Sequence, residues 1–197
     1  MKISPTGTPS SKRFIKPVIP LEWPVKSKLK QTNMLQFKLQ SIPVDPDLIT
    51  YKLSIPYFGK GTPEELLIFL DLVDKAIVGT NITDAPDKYA LLRRLLKGEA
   101  LSAFNNTTDK YGTKTEDNFV NVQHDLIKHI FPRQALSKQK CWMRRFLRKP
   151  ATMSTREFMS RMTEINHFLD SFPDFQDNQK LPKDEIMDIV EFGVPNS

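Results

Sequence analysis

The sequence Thr62-Pro63-Glu64-Glu65 has the features of a helix start, and it constrains the fold more than any other stretch of the chain. Thr is a preferred N-cap, Pro suits the first helical turn, and Glu three residues after the cap completes a capping box. Apolar residues then recur at steps of three and four: Leu66, Phe69, Leu70, Val73 and Ile77. This spacing predicts an amphipathic helix that buries one face and ends near Gly79.

Helical spacing recurs along the rest of the chain after Pro56. The six further predicted helices begin near Asp84, Gly98, Thr115, Ala135, Ser154 and Pro182. Ser154 and Glu157 form a second capping box, and Thr115 is a third candidate cap. No apolar-polar alternation of useful length follows residue 57, so we expect an all-α body. Short helices with short loops favour two small helical lobes, residues 56–131 and residues 132–197.

The N-terminal leader, residues 1–55, differs from this body in proline content and in charge. Its prolines interrupt any helical stripe, with the exception of Lys26–Gln40, and predict a mostly extended or disordered segment. Residues 1–56 hold nine Lys or Arg against three acidic residues, whereas the remainder has 20 of each. The leader is therefore either a segment that attracts polyanions or a solubilising tail. Its apolar residues, Trp23 among them, are expected to dock on the body or on a partner.

Composition excludes several classes of protein. No run of 18 apolar residues is present, and the N-terminus lacks the apolar stretch of a secretory signal. A single cysteine, Cys141, excludes an internal disulfide and a Cys-based zinc site, and is typical of a reducing compartment. We expect no membrane span, and a cytoplasmic location.

Candidate reactive groups are sparse. His124 and His129 are five residues apart, which places them on different helix faces, and neither they nor His167 has a carboxylate at metal-ligand spacing. Cys141 has cations nearby but no partner base. Gly59-Lys60-Gly61 lacks both the spacing of a phosphate-binding loop and a preceding strand, so we interpret it as a turn. We expect no enzyme activity, no cofactor and no metal site.

One charge feature stands out, between Pro132 and Met153, where seven basic residues occur without an acidic one. Trp142 and Phe146 are interleaved with them. Three interpretations stay open: nucleic-acid phosphate, an acidic face of a neighbouring subunit, or a solvated helix face. The candidate contact residues are Lys138, Lys140, Arg144, Arg145, Arg148 and Lys149.

The order of these elements resembles the capsid region of a Gag polyprotein from a Ty3/gypsy-type LTR retrotransposon, or of a Gag-derived host protein. The resemblance is carried by the turn Tyr57-Phe58-Gly59 before the first helix, by Leu95–Ala100, which is similar to the family's L-x-G-x-A junction, and by Ser154–Phe158, which is similar to the opening of the second lobe's long helix. Phe119 stands where Trp is more usual. The Cys-Cys-His-Cys zinc knuckle that often follows such capsids is absent from this sequence.

The resemblance implies a retroviral-capsid-like fold of two lobes, of which the second is incomplete, because two more helices would be expected after its last segment. It also implies a structural protein that self-assembles into a particle shell in the cytoplasm and helps to package RNA. The partners would be copies of the chain, with ring contacts through the first lobe and a dimer contact through the second. Two alternatives stay open: a helical adaptor that binds a partner peptide, and a nucleic-acid-binding protein that uses its basic helix.

Overall fold

The computed structural model describes residues 15–24, 34–40 and 50–194, and these contain seven α-helices and one two-stranded sheet. The strands come first in the chain, and the helices follow. The elements are β1 (Met34–Gln40), β2 (Thr50–Pro56), α1 (Pro63–Gly79), α2 (Ala85–Leu95), α3 (Gly98–Tyr111), α4 (Glu116–Ile130), α5 (Ala135–Phe146), α6 (Thr155–Phe168) and α7 (Lys183–Gly193). The predominantly helical fold is confirmed.

The three caps predicted from the sequence form. The Thr62 hydroxyl accepts a hydrogen bond from the Glu65 backbone N–H (3.3 Å), and the Glu65 carboxylate accepts one from the Thr62 N–H (2.7 Å). Ser154 and Glu157 make the same reciprocal pair at the start of α6. The Thr115 hydroxyl accepts from the Asn118 N–H at the start of α4. These contacts satisfy N–H groups that a helix N-terminus leaves unpaired.

The all-α class needs a correction in the leader, because β1 and β2 pair as an antiparallel sheet in which Leu35 lies opposite Ile55. The exception made for a helix over Lys26–Gln40 is wrong for β1, and residues 25–33 lie outside the described residues. The physical reason is a period of two: Gln36 and Lys38 are exposed, whereas Leu39 is buried. Leu39 packs against the end of α1, where a Cβ on Gly79 would come within 2.9 Å of the Leu39 side chain.

The buried apolar side chains form one cluster that extends from Ile19 to Ile189. It crosses the expected boundary between the lobes at residues 131 and 132, because the rings of Phe131 and Phe172 meet edge to face with centroids 4.9 Å apart. It also includes Leu21 from the leader. The described residues therefore share one continuous core, to which the leader contributes.

The turn before α1 is fixed by the body. Phe58 pairs with Leu96 in an isolated parallel bridge, in which the Phe58 N–H donates to the Leu95 carbonyl (2.9 Å) and the Phe58 carbonyl accepts from the Lys97 N–H (2.8 Å). Its ring stacks on that of Phe69 in α1, with centroids 5.3 Å apart. The turn thus connects the start of α1 to the junction of α2 and α3.

Candidate functional site

The six basic residues singled out from the sequence lie on α5 and in the connection after it. We call Lys138, Lys140, Arg144, Arg145, Arg148 and Lys149 the basic surface. Four of them are exposed, and Lys140 and Lys149 are half-buried. α5 ends at Phe146, so Arg148 and Lys149 lie beyond its helical face. The change occurs at Leu147, the C-cap residue of α5, where the backbone becomes extended.

Arg144 is already paired within the chain. Its guanidinium forms a two-point ion pair with the Glu185 carboxylate in the first turn of α7, through Nε to Oε1 and through a second N–H to Oε2 at 3.2 Å. The hydrogen bonds from Arg144 lower the pKa of Glu185, and the same bonds raise the pKa of Arg144. The charge of Arg144 is therefore largely balanced by Glu185 on α7, which leaves less of it to attract a partner.

Lys149 has a structural role in the same region. Its ammonium donates to the Met153 carbonyl (2.9 Å), and its backbone N–H donates to the carbonyl of Gly193, the last residue of α7 (2.9 Å). The start and the end of α7 are thus both hydrogen-bonded to residues of the basic surface, Arg144 and Lys149. Among the described residues, neither Lys138 nor Arg145 forms an ion pair, so these two exposed cations are the best placed to meet a partner.

The aromatic residues of α5 do not form a stacking platform. Trp142 is buried in the core, and Phe146 is partly buried against it. An exposed aromatic ring is what base stacking needs, and α5 uses its large rings for packing instead. The exposed cations of this surface are suited to contacts with phosphate, which carry no sequence information directly.

A second site, which the sequence did not reveal, holds the N-terminal segment, residues 15–24. Gln139 on α5 is fully buried, and its side-chain amide binds the backbone of this segment at three points. Its carbonyl oxygen accepts from the N–H groups of Val18 (2.8 Å) and Ile19 (3.0 Å), and its NH2 group donates to the Ile19 carbonyl (3.0 Å). A single side chain of α5 therefore satisfies the backbone N–H groups of Val18 and Ile19 and the carbonyl of Ile19.

Arg161 on α6 binds the next part of the segment. Its side chain is 0% exposed and donates to three successive backbone carbonyls, those of Pro20 (2.9 Å), Leu21 (3.1 Å) and Glu22 (3.3 Å). The same guanidinium forms a bidentate pair with the buried carboxylate of Glu64 on α1, at 2.6 and 2.9 Å. Burial lowers the pKa of Arg161, but the pairs with Glu64 and Glu164 outweigh it, so that the pKa is raised and the charge is retained.

Two buried apolar side chains and a hydrogen bond from Trp23 complete this site. Ile19 and Leu21 are buried in the core, and the Trp23 indole N–H donates to the Glu164 carboxylate at 2.9 Å. The Trp23 ring also lies 5.6 Å from the guanidinium carbon of Arg161, a cation–π distance. The residues of α1, α5 and α6 that hold the segment form what we call the segment groove: Glu64, Gln139, Arg161 and Glu164.

A cleft of about 660 Å³ lies where α1, α4 and α6 meet. It is lined by ionisable side chains that include Asp74, His124 and His167. Burial raises the pKa of Asp74, and Gln123 donates a hydrogen bond to it at 3.2 Å; burial also lowers the pKa of His124, whose ring stacks on Phe175. In the described ranges no group of three or more His, Cys, Asp or Glu side chains is arranged to hold a metal ion.

The other candidate groups are Cys141, His129 and the Gly59–Gly61 turn. Cys141 is a half-buried thiol on α5, and His129 lies 3.5 Å from Glu99 on the body's surface. Gly61 lies in the turn before α1, where a Cβ would come within 2.8 Å of the Glu65 carboxylate, so close packing accounts for this glycine. His129 lines a small cavity of about 190 Å³ together with the Gly59–Gly61 turn and Glu99, whereas His124 and His167 line the cleft between α1, α4 and α6.

Comparisons of the chain with protein-family models, with curated proteins and with solved structures found no match. Over the part of the chain that the structure describes, no helix has both the length and the apolar character needed to cross a membrane.

Proposed function

We propose that this chain is a non-catalytic structural protein, similar to the capsid part of a Ty3/gypsy-type Gag polyprotein, that associates with copies of itself and helps to package RNA. The observation that carries the proposal is the exposure of large apolar side chains on α7: Phe192 is 76% exposed and Met187 is 51% exposed. Exposed apolar groups beside polar ones are typical of protein–protein contacts. α7 also lies beside the basic surface, to which both of its ends are bonded.

A shell subunit needs a stiff body more than it needs a reactive group, because its contacts must recur with the same geometry in every copy. Here the core is continuous across residues 131 and 132, and the buried Arg161–Glu64 pair connects α6 to α1. In the proposal, residues 56–131 and 132–197 correspond to the two capsid lobes, and the contacts between them fix their relative orientation. Many weak contacts between such bodies give a stable lattice through multivalency.

Self-association can be tested with the full chain by sedimentation velocity over a concentration series. The wild type is expected to form larger species as its concentration rises. Replacing Met187 and Phe192 by Ser should shift this transition to a concentration about tenfold higher, which corresponds to a combined loss of about 1.4 kcal/mol from the two apolar contacts. Val78→Ser is the matched control, because Val78 is 79% exposed but lies on α1. A wild type that stays monomeric at every concentration and salt would contradict the proposal.

A peptide-binding adaptor is the second candidate, and one observation favours it. The segment groove holds an extended chain through its backbone, which is how many peptide-binding sites obtain affinity without a fixed sequence. A fluorescent peptide with the sequence of residues 15–24 should then bind saturably to a full chain whose own segment is weakened by Ile19→Asp and Leu21→Asp, two buried positions of that segment, and adding Gln139→Ala should weaken that binding. Absence of saturable binding up to the solubility limit of the peptide would exclude this candidate.

A further inference from the structure

We propose that the segment groove also accepts residues 15–24 of a second copy, so that neighbouring subunits are joined by exchange of their N-terminal segments. This inference rests on the proposed self-association, and it adds a specific surface and a specific occupant to it. The occupant is the same ten residues that fill the groove within one chain. The recognition would involve Gln139, Arg161 and Glu164 in one copy and residues 18–23 in the other.

The groove binds the segment mainly through backbone groups. The hydrogen bonds from Gln139 and Arg161 reach N–H and carbonyl groups of residues 18–22, and the segment contributes Ile19 and Leu21 to the core. Every one of these contacts is available whether the segment belongs to the same chain or to a neighbour. Exchange of an identical element between copies therefore requires no new contact, which is why it is an accessible route to oligomers.

The buried polar groups of the groove require an occupant. Without the segment, the guanidinium of Arg161 would keep Glu64 and Glu164 but would lose three carbonyl acceptors, and Gln139 would lose all its backbone partners. Buried polar groups without partners are strongly unfavourable. An assembly in which a segment has left its own groove is thus expected to fill that groove with the segment of a neighbour rather than leave it empty.

The segment is tethered closely enough to reach the groove of a neighbouring subunit. Nine residues, 25–33, separate the segment from β1, and a chain of that length spans at most about 30 Å when fully extended. That is about the diameter of a small domain, so the segment can reach the groove of a subunit in contact. A short linker gives an effective concentration in the millimolar range, and neighbours in a dense assembly present their segments at a comparable concentration. When subunits associate, the segment of a neighbour can therefore compete with the chain's own segment for the groove.

The test uses full chains in which cysteine is present only at chosen positions. One population has Trp23→Cys and the other Glu164→Cys, both with Cys141→Ser, since these two side chains are in contact across the groove edge. The populations are tagged differently, mixed, diluted, reconcentrated and treated with a short bis-maleimide. Val78→Cys mixed with Glu164→Cys measures random collision, because Val78 is an exposed residue on a different helix. A single chain with both Trp23→Cys and Glu164→Cys shows that the groove geometry survives substitution.

Exchange predicts several-fold more cross-linked heterodimer from Trp23→Cys and Glu164→Cys than from the Val78→Cys control, with a yield that rises with concentration. If the doubly substituted chain cross-links within itself while the mixture stays at the control level, docking is confined to one chain and the proposal is overturned. If neither cross-links, the segment does not occupy the groove, and the proposal is overturned as well. Light scattering on the same samples shows whether the chain self-associates, which separates a failure of exchange from a failure of the proposed function.

Discussion

Arg161 and the basic surface after residue 137 both carry positive charge, but they lie in opposite environments. The Arg161 side chain is 0% exposed, with a bidentate carboxylate partner and three backbone carbonyls around it. Arg144, the best paired member of the basic surface, is 49% exposed and shares its charge with Glu185 at the edge of α7. Arg145 and Lys138 are exposed without an ion pair among the described residues.

Buried and exposed cations therefore have different roles in this protein. A buried cation whose hydrogen bonds are all used fixes the relative position of the elements that surround it, and its loss leaves uncompensated groups. An exposed cation contributes little to stability but strongly to attraction of a polyanion or of an acidic face. The number of basic residues in a segment therefore does not indicate its role, whereas burial and partners do.

The largest effect is expected from Arg161→Ala. Removal of the guanidinium leaves Glu64 buried without a partner and the carbonyls of Pro20 and Leu21 without donors. The free energy of unfolding should fall by about 3–5 kcal/mol, as for other broken buried pairs. Urea denaturation measures it. The double variant Arg161→Met with Glu64→Leu should recover part of this loss, and a loss below about 1 kcal/mol in Arg161→Ala would show that the pair is not buried in solution.

The next largest effect is expected from Gln139→Ala, which removes three hydrogen bonds to Val18 and Ile19. The loss in unfolding free energy should be about 1–3 kcal/mol, the penalty of leaving buried backbone groups unsatisfied. Hydrogen exchange of the Val18 and Ile19 amides should accelerate in parallel. Ser137→Ala is the control on the exposed side of the same helix, and equal effects of the two substitutions would contradict a specific role for Gln139.

A smaller, pH-dependent effect is expected from Glu185→Gln. The pKa of Glu185 is lowered in the folded state by the hydrogen bonds from Arg144, so its contribution is present above the unfolded pKa and is lost as the pH falls through the folded pKa. For a partly exposed pair the contribution should be below about 1 kcal/mol. Unfolding measured from neutral to acidic pH should show a wild-type advantage that disappears in acid. An advantage that persists there would mean that the ion pair is not its source.

The smallest effect on stability, within about 0.5 kcal/mol, is expected from the charge reversals Lys138→Glu and Arg145→Glu. The same pair should weaken RNA binding and reduce the slope of log affinity against log salt by about 2, one for each lost phosphate contact. The control is Arg93→Glu with Arg94→Glu, two exposed arginines on α2. Equal losses of affinity in both variants would show that the basic surface has no special role in binding.

The sequence predicted best what is determined locally. Caps depend on residues three positions apart, so Thr62 with Glu65 and Ser154 with Glu157 could be recognised without knowledge of the fold. The hairpin was not predicted, because the many prolines of the leader obscure the short alternation of Leu35, Phe37 and Leu39 with polar residues.

The segment groove could not be predicted, because its contacts join residues that are far apart in the chain. Gln139 and Ile19 are separated by 120 positions, and Arg161 and Glu64 by 97. One signal was present: Arg161 lies three residues after Phe158 and four before Ile165, on the stripe of α6 that faces the core. A charged residue at such a position indicates a buried partner, but the sequence does not identify that partner.

The central claim, that this chain is built to associate with copies of itself, is tested most directly by electron microscopy of the full protein. The protein should be concentrated at low and at high salt, with and without RNA. The account predicts particles or other regular assemblies with a repeated subunit spacing, which become more abundant when RNA is added. Dispersed monomers under every condition would contradict it.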